Sequence, residues 1–328
     1  MKRVNEFLTR FFPLLITGGL VGGIFLGDLI IPLQVIVPFV FASVTFISSL
    51  TMNFNSFKET LMTPKPMIAV MLVLRLIMPL WAMLVGNIVF QGDIYTTTGI
   101  ILFALLPTGI NSAIWVMMYK GNVPLTLSII FLDTFLSPFL LPLSLALLTG
   151  TTVEMEVGSL MISLIQMVVL PSFLGMVINQ LTKGEVNKTW SPRLAPFAKI
   201  GLIVVVIING AMSAPHFESF DFNILIIMIT VFFLSFSGYV ISWMIGNLFK
   251  FDQEEIVSLV YSGGMRNVSV GIVIAVSYFP SEVSIPVIIA ILFQQTINGL
   301  VGFFLSRREK KVASEILEEV NFKKTVLE

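Results

Sequence analysis

Three ionisable side chains, Arg75, Asp133 and Arg266, lie inside strongly apolar stretches of the sequence. A charge at the centre of a bilayer costs about 3 kcal/mol or more, so such residues are functional candidates. Asp133 would pair with one arginine, and the other guanidinium could then bind a carboxylate or sulfonate through parallel hydrogen bonds. The three charges therefore predict a site for a small organic anion. A structural network of all three, or snorkelling of Arg75 toward the cytoplasm, is the alternative interpretation.

Two polar clusters rich in glycine or proline, PTGINS at 107–112 and SGGMRN at 262–267, interrupt apolar stretches. Such residues unwind a helix, and lipid tolerates the freed backbone only beside protein or a water-filled cavity. Interrupted helices at matching places in two halves of a chain indicate a transporter's binding site. The predicted substrate-binding residues are Thr108, Asn111, Arg266, Asn267, Arg75 and Gln295. Gln294, Thr296 and Asn298 would support them, or would form ordinary interhelical hydrogen bonds.

The elements that must position these residues are membrane helices. The chain has 328 residues, of which 56% are hydrophobic and 12% charged, against roughly 25% charged in soluble domains. Its formal net charge is zero, which gives no indication of a nucleic-acid partner. The sequence contains no cysteine and one histidine, His216, which excludes thiolate sites and a His-based metal cluster or catalytic triad. We therefore expect a transporter, with no enzymatic activity and no cofactor of those classes.

Apolar runs of roughly 20 residues predict ten transmembrane helices. The predicted spans are 11–27, 33–51, 66–90, 97–118, 123–148, 158–181, 198–214, 223–248, 256–279 and 284–306. Lysine and arginine outside the spans occur only at the N-terminus, in the even-numbered loops and in the C-terminal tail. The opposite loops carry only acidic charges, such as Asp93 and Glu156. The positive-inside rule then places both termini in the cytoplasm of a protein of the inner membrane.

Ten spans divide into two five-helix repeats, 1–152 and 153–306, followed by a charged cytoplasmic tail, 307–328. Five is an odd number, so the second repeat must be inverted relative to the first. The fourth span of each repeat carries one of the two polar clusters. This agreement strengthens the prediction that both clusters meet at a protected centre. The oligomeric state is not predicted, because every lipid-facing surface is apolar.

Two stretches resemble the bile acid:sodium symporter family. LLPTGINSAIWVMMYKGNVPLTLSIIFLDTFLSPFLLPL (Leu105–Leu143) is similar to that family's spans 4 and 5, and GGMRNVSVGIVIAVSYF (Gly263–Phe279) to its span 9. The resemblance implies a panel domain and a core domain, with the broken helices 4 and 9 crossing in the core. It also implies organic-anion substrates, from bile salts to pantothenate-like and keto acids, usually coupled to sodium.

The family's sodium positions are only partly matched. Ser112 and Thr126 agree, whereas Ser262 replaces a glutamate and Arg266 replaces a glutamine. Ala113, Ile130 and Leu74 also stand where the family has polar residues. Sodium prefers several hard oxygens, one of them anionic, so we expect degraded sodium sites with Arg266 as a built-in cation. The ion-coupling candidates are Ser112, Thr126, Asp133, Ser262 and Met265.

Other functions stay open at the level of sequence. Asp133 lies seven positions after Thr126, on the same helical face, and could be a compensating acid or a proton-coupling group. The Arg266-Asn267 pair is similar to an arsenite-exporting branch, which would make the chain a proton-coupled or uncoupled exporter. That chemistry relies on a cysteine in the family, and this chain has none. A channel or a sensor is less well supported, because neither a repeated pore segment nor a soluble output domain is visible.

Overall fold

The computed structural model describes residues 2–52, 64–150, 156–217, 222–280, 282–294 and 296–305. Over these residues the chain is almost entirely helical, and the β-structure among them is one isolated bridge between Thr108 and Arg266. The predicted tail, 307–328, and the candidate Gln295 lie outside the described residues.

The described residues form fourteen helices. In chain order they are α1 Lys2–Leu26, α2 Val37–Ser49, α3 Pro64–Val89, α4 Ile94–Leu105, α5 Ser112–Met118, α6 Val123–Thr149, α7 Val157–Leu181, α8 Glu185–Thr189, α9 Ser191–Phe217, α10 Phe222–Leu248, α11 Gln253–Gly264, α12 Val268–Tyr278, α13 Glu282–Gln294 and α14 Thr296–Leu305. Helix α2 is preceded by a 3-10 segment, Ile31–Ile36.

Six helical segments of the described chain are long and apolar enough to cross a membrane by themselves: Ile31–Ser49, α3, α6, α7, α9 and α10. Helices α13 and α14, bent by 45°, would form a seventh span together. Helices α4 and α12 are apolar but shorter, because the chain breaks beside them. The protein is thus a polytopic helical membrane protein. Helices occur at all ten predicted positions, and the crossing by all ten stays a prediction.

The two breaks have local causes. Helix α4 stops at Leu106, which takes extended dihedral angles (φ −56°, ψ 143°) because it precedes Pro107. Helix α11 runs into Gly263 and Gly264 and stops at Met265, which is also extended (φ −81°, ψ 131°). The helix resumes as α12, and Asn267 is its N-cap: the Asn267 side chain accepts a hydrogen bond from the Val270 amide.

The helices pack in two groups. Helices α1, α2, α7 and α9 form the four-helix group, in which Gly23 and Gly210 let α1 and α9 approach closely. Helices α3–α6 and α10–α14 form the crossover group, which surrounds the two breaks. The groups meet through α6 and α7, through α9 and α12, and through α2 and α12.

Candidate functional site

The two breaks lie against each other and exchange backbone hydrogen bonds. The Gly109 amide donates to the Met265 carbonyl over 3.2 Å, and the Asn267 amide donates to the Pro107 carbonyl over 2.7 Å. Unwound backbone groups that have lost their helical partners are thereby satisfied. We call these two segments, 106–111 and 265–267, the crossover.

Asp133 and Arg75 fix the first break. The fully buried carboxylate of Asp133 accepts hydrogen bonds from Arg75 Nε over 2.7 Å and from the Thr108 amide over 2.6 Å. Arg75 Nη1 donates to the Leu105 carbonyl over 2.9 Å, at the end of α4. Arg75 sits in a π-helical segment, Val73–Ile77, a distortion often found at functional positions. The guanidinium therefore points at the break, and the structure does not show the snorkelling of Arg75 considered from the sequence.

Of the two arginines at the crossover, Arg266 is the one that has no carboxylate partner among the described residues. Its side chain is only 2% exposed, and Nη1 donates to the Gly263 carbonyl over 3.1 Å. Nη2 has no hydrogen-bond partner among the described residues. The Thr108 amide donates to the Asp133 carboxylate, and Thr108 is bridged to Arg266, so the three predicted charges lie around the same crossover. Because Asp133 is bonded to Arg75, this cluster carries one uncompensated positive charge.

A cavity of about 90 Å³ separates the two helix groups beside the crossover. Its polar lining residues are Thr45 and Ser48 from the four-helix group and Asn111, Arg266, Asn267, Ser269 and Gln294 from the crossover group. Apolar side chains such as Phe12, Phe41 and Ile291 complete the wall. A few polar groups in a mostly apolar concave surface are typical of small-molecule sites.

The predicted substrate residues separate into two sets. Asn111, Arg266 and Asn267 line the cavity, whereas Thr108 is fully buried and donates its hydroxyl to the Ser262 carbonyl. Arg75 belongs to the ion pair with Asp133 and is not among the lining residues. Gln295 lies outside the described residues, but its neighbour Gln294 lines the cavity and accepts a hydrogen bond from the Arg266 amide over 3.1 Å.

Sequence reasoning missed Thr45, Ser48 and Ser269. A usable signal existed, because Thr45 and Ser48 are three positions apart and share one face of an apolar helix. Among the supporting residues, Asn298 accepts a hydrogen bond from the Tyr239 hydroxyl over 2.5 Å, and its carbonyl accepts one from Tyr261 over 3.1 Å. Asn298 therefore has the interhelical role considered as its alternative, and Thr296 is exposed.

The ion-coupling candidates have mostly other partners. The Thr126 hydroxyl donates to the Asn122 carbonyl over 3.1 Å, Asp133 holds Arg75, and the Met265 carbonyl accepts the Gly109 amide. Only the buried hydroxyls of Ser112 and Ser262 have no partner among the described residues. With the Gly263 carbonyl bonded to Arg266 and no free carboxylate among these candidates, this donor set fits a sodium ion poorly.

Comparisons with known proteins identify the family of this chain. The model of the SBF-like CPA transporter family matches residues 25–308. The chain is 48% identical over 299 residues to the uncharacterized protein YbaS of Bacillus subtilis, covering 91% of this chain and 98% of YbaS. It is 24% identical over 269 residues to the uncharacterized sodium-dependent transporter YocS of Bacillus subtilis, covering 82% of each chain. It is also 24% identical over 278 residues to the hepatic sodium/bile acid cotransporter of Rattus norvegicus, covering 80% of this chain and 74% of the relative. Because the family model covers most of its length, the chain belongs to the SBF-like CPA transporter family and is a membrane transporter of the bile acid:sodium symporter type.

Proposed function

We propose that this protein is a secondary transporter of small organic anions, in which Arg266 stands in place of a coupling sodium ion. The four-helix group would be the panel domain and the crossover group the core domain. Alternating access would come from movement of one group against the other, with ten spans arranged as inverted repeats 1–152 and 153–306 in the inner membrane. Membership of a transporter family and a cavity between the two groups support this proposal.

The observation that carries the proposal is the uncompensated charge of Arg266 at the cavity wall. Arg75 and Asp133 neutralise each other, and Nη2 of Arg266 retains an unused donor. A substrate carboxylate would supply the missing negative charge and accept a charge-assisted hydrogen bond. The amides of Asn111, Asn267 and Gln294 would hold the rest of a polar ligand, and the apolar wall would take its hydrocarbon part.

The position of Arg266 also supports transport that is not coupled to sodium. Its Nη1 donates to the Gly263 carbonyl, and the resemblance implies that backbone carbonyls after the position of Ser262 bind sodium in the family. A second cation beside the fixed guanidinium would be repelled strongly in a site of low dielectric constant. Asp133 would serve as a positioning residue, because both of its carboxylate oxygens already accept hydrogen bonds. The names of YocS and of the rat relative refer to sodium, and the use of sodium is a property of those proteins.

The test uses purified protein in two steps. A thermal-shift screen against small carboxylates and sulfonates, with sodium or with choline, identifies ligands, because specific binding stabilises the folded state by mass action. Counterflow of the best radiolabelled ligand in proteoliposomes then tests carrier function in both salts. We expect equal counterflow with sodium and with choline. Complete loss of counterflow in choline would refute the proposal that Arg266 takes the place of a coupling sodium ion. No counterflow in either salt would refute the proposal that the protein is a carrier.

A further inference from the structure

The contacts between the two helix groups differ at the two ends of the molecule. The cavity lies at the end of α2 that carries Thr45 and Ser48. Helix α7 packs against this same end through Gly175, where an added Cβ would lie only 2.9 Å from the Cβ of Ser49. The part of α7 around Gly175 therefore marks the cavity end of the structure.

At the opposite end, a side-chain hydrogen bond joins the two groups. The Ser163 hydroxyl of α7 and the Tyr278 hydroxyl of α12 are bonded to each other and are partly buried. Ser163 precedes Gly175 by about 18 Å along the helix, at 1.5 Å per residue. Tyr278 is the last residue of the 11-residue helix α12, so it lies about 16 Å from the crossover. The bond thus closes the space between the groups on the side away from the cavity.

The charges of the connecting segments indicate which side this is. Helix α7 follows a segment that carries Glu154 and Glu156, and α12 is followed by Glu282, with no lysine or arginine in either connection. By the positive-inside rule, this end faces outward and the cavity lies toward the cytoplasm.

From this arrangement we infer that Ser163 and Tyr278 form the outer gate of the transport path. The inference rests on the proposed function, because a gate has meaning only in a carrier. In the described conformation the hydroxyl pair holds the outer side shut while the cavity lies on the inner side. Opening to the outside requires this bond to break. Two neutral hydroxyls suit that task, because water can replace their mutual hydrogen bond at little net cost and no buried charge is left unpaired.

The absence of cysteine from the chain allows a direct test. Ser269→Cys, on the cavity wall, serves as the reporter in right-side-out vesicles treated with a membrane-impermeant methanethiosulfonate. Ser163→Ala or Tyr278→Phe removes one hydroxyl and should raise the outside labelling rate about two- to tenfold, as expected for loss of one neutral hydrogen bond. The double variant should label no faster than the single variants, because both remove the same bond.

The matched control is Tyr95→Phe, which removes a hydroxyl from a tyrosine that is 44% exposed near the start of α4. It should leave the labelling rate unchanged. Equal rates in the reporter alone, Ser163→Ala and Tyr278→Phe would overturn the gate, and so would additive effects in the double variant. Labelling needs neither substrate nor sodium, so failure of the gate is distinguishable from failure of the counterflow experiment.

Discussion

Arg75 and Arg266 have the same charge and converge on one centre, but their surroundings give them different tasks. Arg75 donates to the Asp133 carboxylate and to the Leu105 carbonyl at the end of α4. A cation at a helix C-terminus is favoured by the helix dipole, so Arg75 stabilises the break in α4. Arg266 donates from Nη1 and from its amide, whereas its buried Nη2 has no hydrogen-bond partner among the described residues.

Arg266→Gln should weaken ligand binding. A hydrogen bond to a charged group contributes about 1.5–3 kcal/mol, so we expect the Kd for a carboxylate, measured by thermal shift, to rise about 10- to 150-fold. Ser269→Ala, which alters the same cavity wall without removing a charge, should change the Kd much less. Equal effects of the two substitutions would contradict a direct role for the guanidinium.

The same position should control the response to sodium. The double variant Ser262→Glu with Arg266→Gln restores the two residue types that the resemblance assigns to the family's sodium sites. We expect its melting temperature to rise with sodium relative to choline, because the two changes add a carboxylate and remove a competing cation. Ser262→Glu alone should show no such response, since the new carboxylate would pair with Arg266. A sodium response in the unaltered protein would contradict this prediction.

Asp133→Asn should destabilise the fold. The change leaves Arg75, whose side chain is 10% exposed, as a largely buried charge without its ionic partner; breaking a buried pair typically costs about 3–5 kcal/mol. Thermal inactivation of the purified protein in detergent should be markedly faster. Adding Arg75→Met should recover much of the lost stability, because the stranded charge is gone. Normal stability of Asp133→Asn combined with lost transport would indicate a coupling role for this acid instead.

At the scale of elements, close packing around the glycines limits which residues the two breaks can accept. An added Cβ at Gly264 would collide with the ring of Tyr239, which is itself buried at 2% exposure. In contrast, an added Cβ at Gly109 would meet the Arg266 carbonyl at 3.2 Å, which needs only a small adjustment. The second break therefore tolerates less change than the first.

Gly264→Ala should lower stability by about 1–3 kcal/mol, the usual cost of overpacking a filled interior. Gly158→Ala is the matched control, because nothing lies within 4 Å of its added Cβ in helix α7. That substitution should be neutral or mildly stabilising, since alanine is the better helix former. Melting temperatures in detergent compare the two, and an equal loss in both would contradict the packing argument.

The breaks were predictable from sequence because they depend on local chemistry, namely Pro107 after Leu106 and the paired glycines 263 and 264. Which of the two arginines pairs with Asp133 was not predictable from the sequence. It depends on the π-helical turn that carries Arg75 and on the antiparallel register of Thr108 against Arg266. Thr45 and Ser48 were missed because in a lipid-embedded helix both the packed and the lipid-facing sides are apolar, so hydrophobic periodicity does not show which face lines a cavity.

At the scale of the whole molecule, the distribution of charge predicts how each element is oriented in the membrane. Lysine and arginine lie in alternate connections and acidic residues in the others. With the predicted topology, the cavity faces the cytoplasm and the Ser163–Tyr278 bond faces the outer side. The side of the membrane on which the proposed gate lies therefore depends on the topology.

The topology can be tested at the two ends of α3. Lys65 and Gln91 are both exposed and lie at its start and just beyond its end. In intact cells, an impermeant maleimide should label Gln91→Cys and should label Lys65→Cys only after the membrane is permeabilised. The reverse pattern would invert the assignment of the inner and outer sides.

The crossover is joined by main-chain atoms: the amides of Gly109 and Asn267 and the carbonyls of Met265 and Pro107. Every amino acid except proline supplies the same amide, and all supply the same carbonyl. Mutation can therefore exchange side chains around the junction, as at positions 262 and 266, without dismantling it. Such a junction would allow the coupling ion of a carrier to change by substitution of side chains while the backbone contacts are kept.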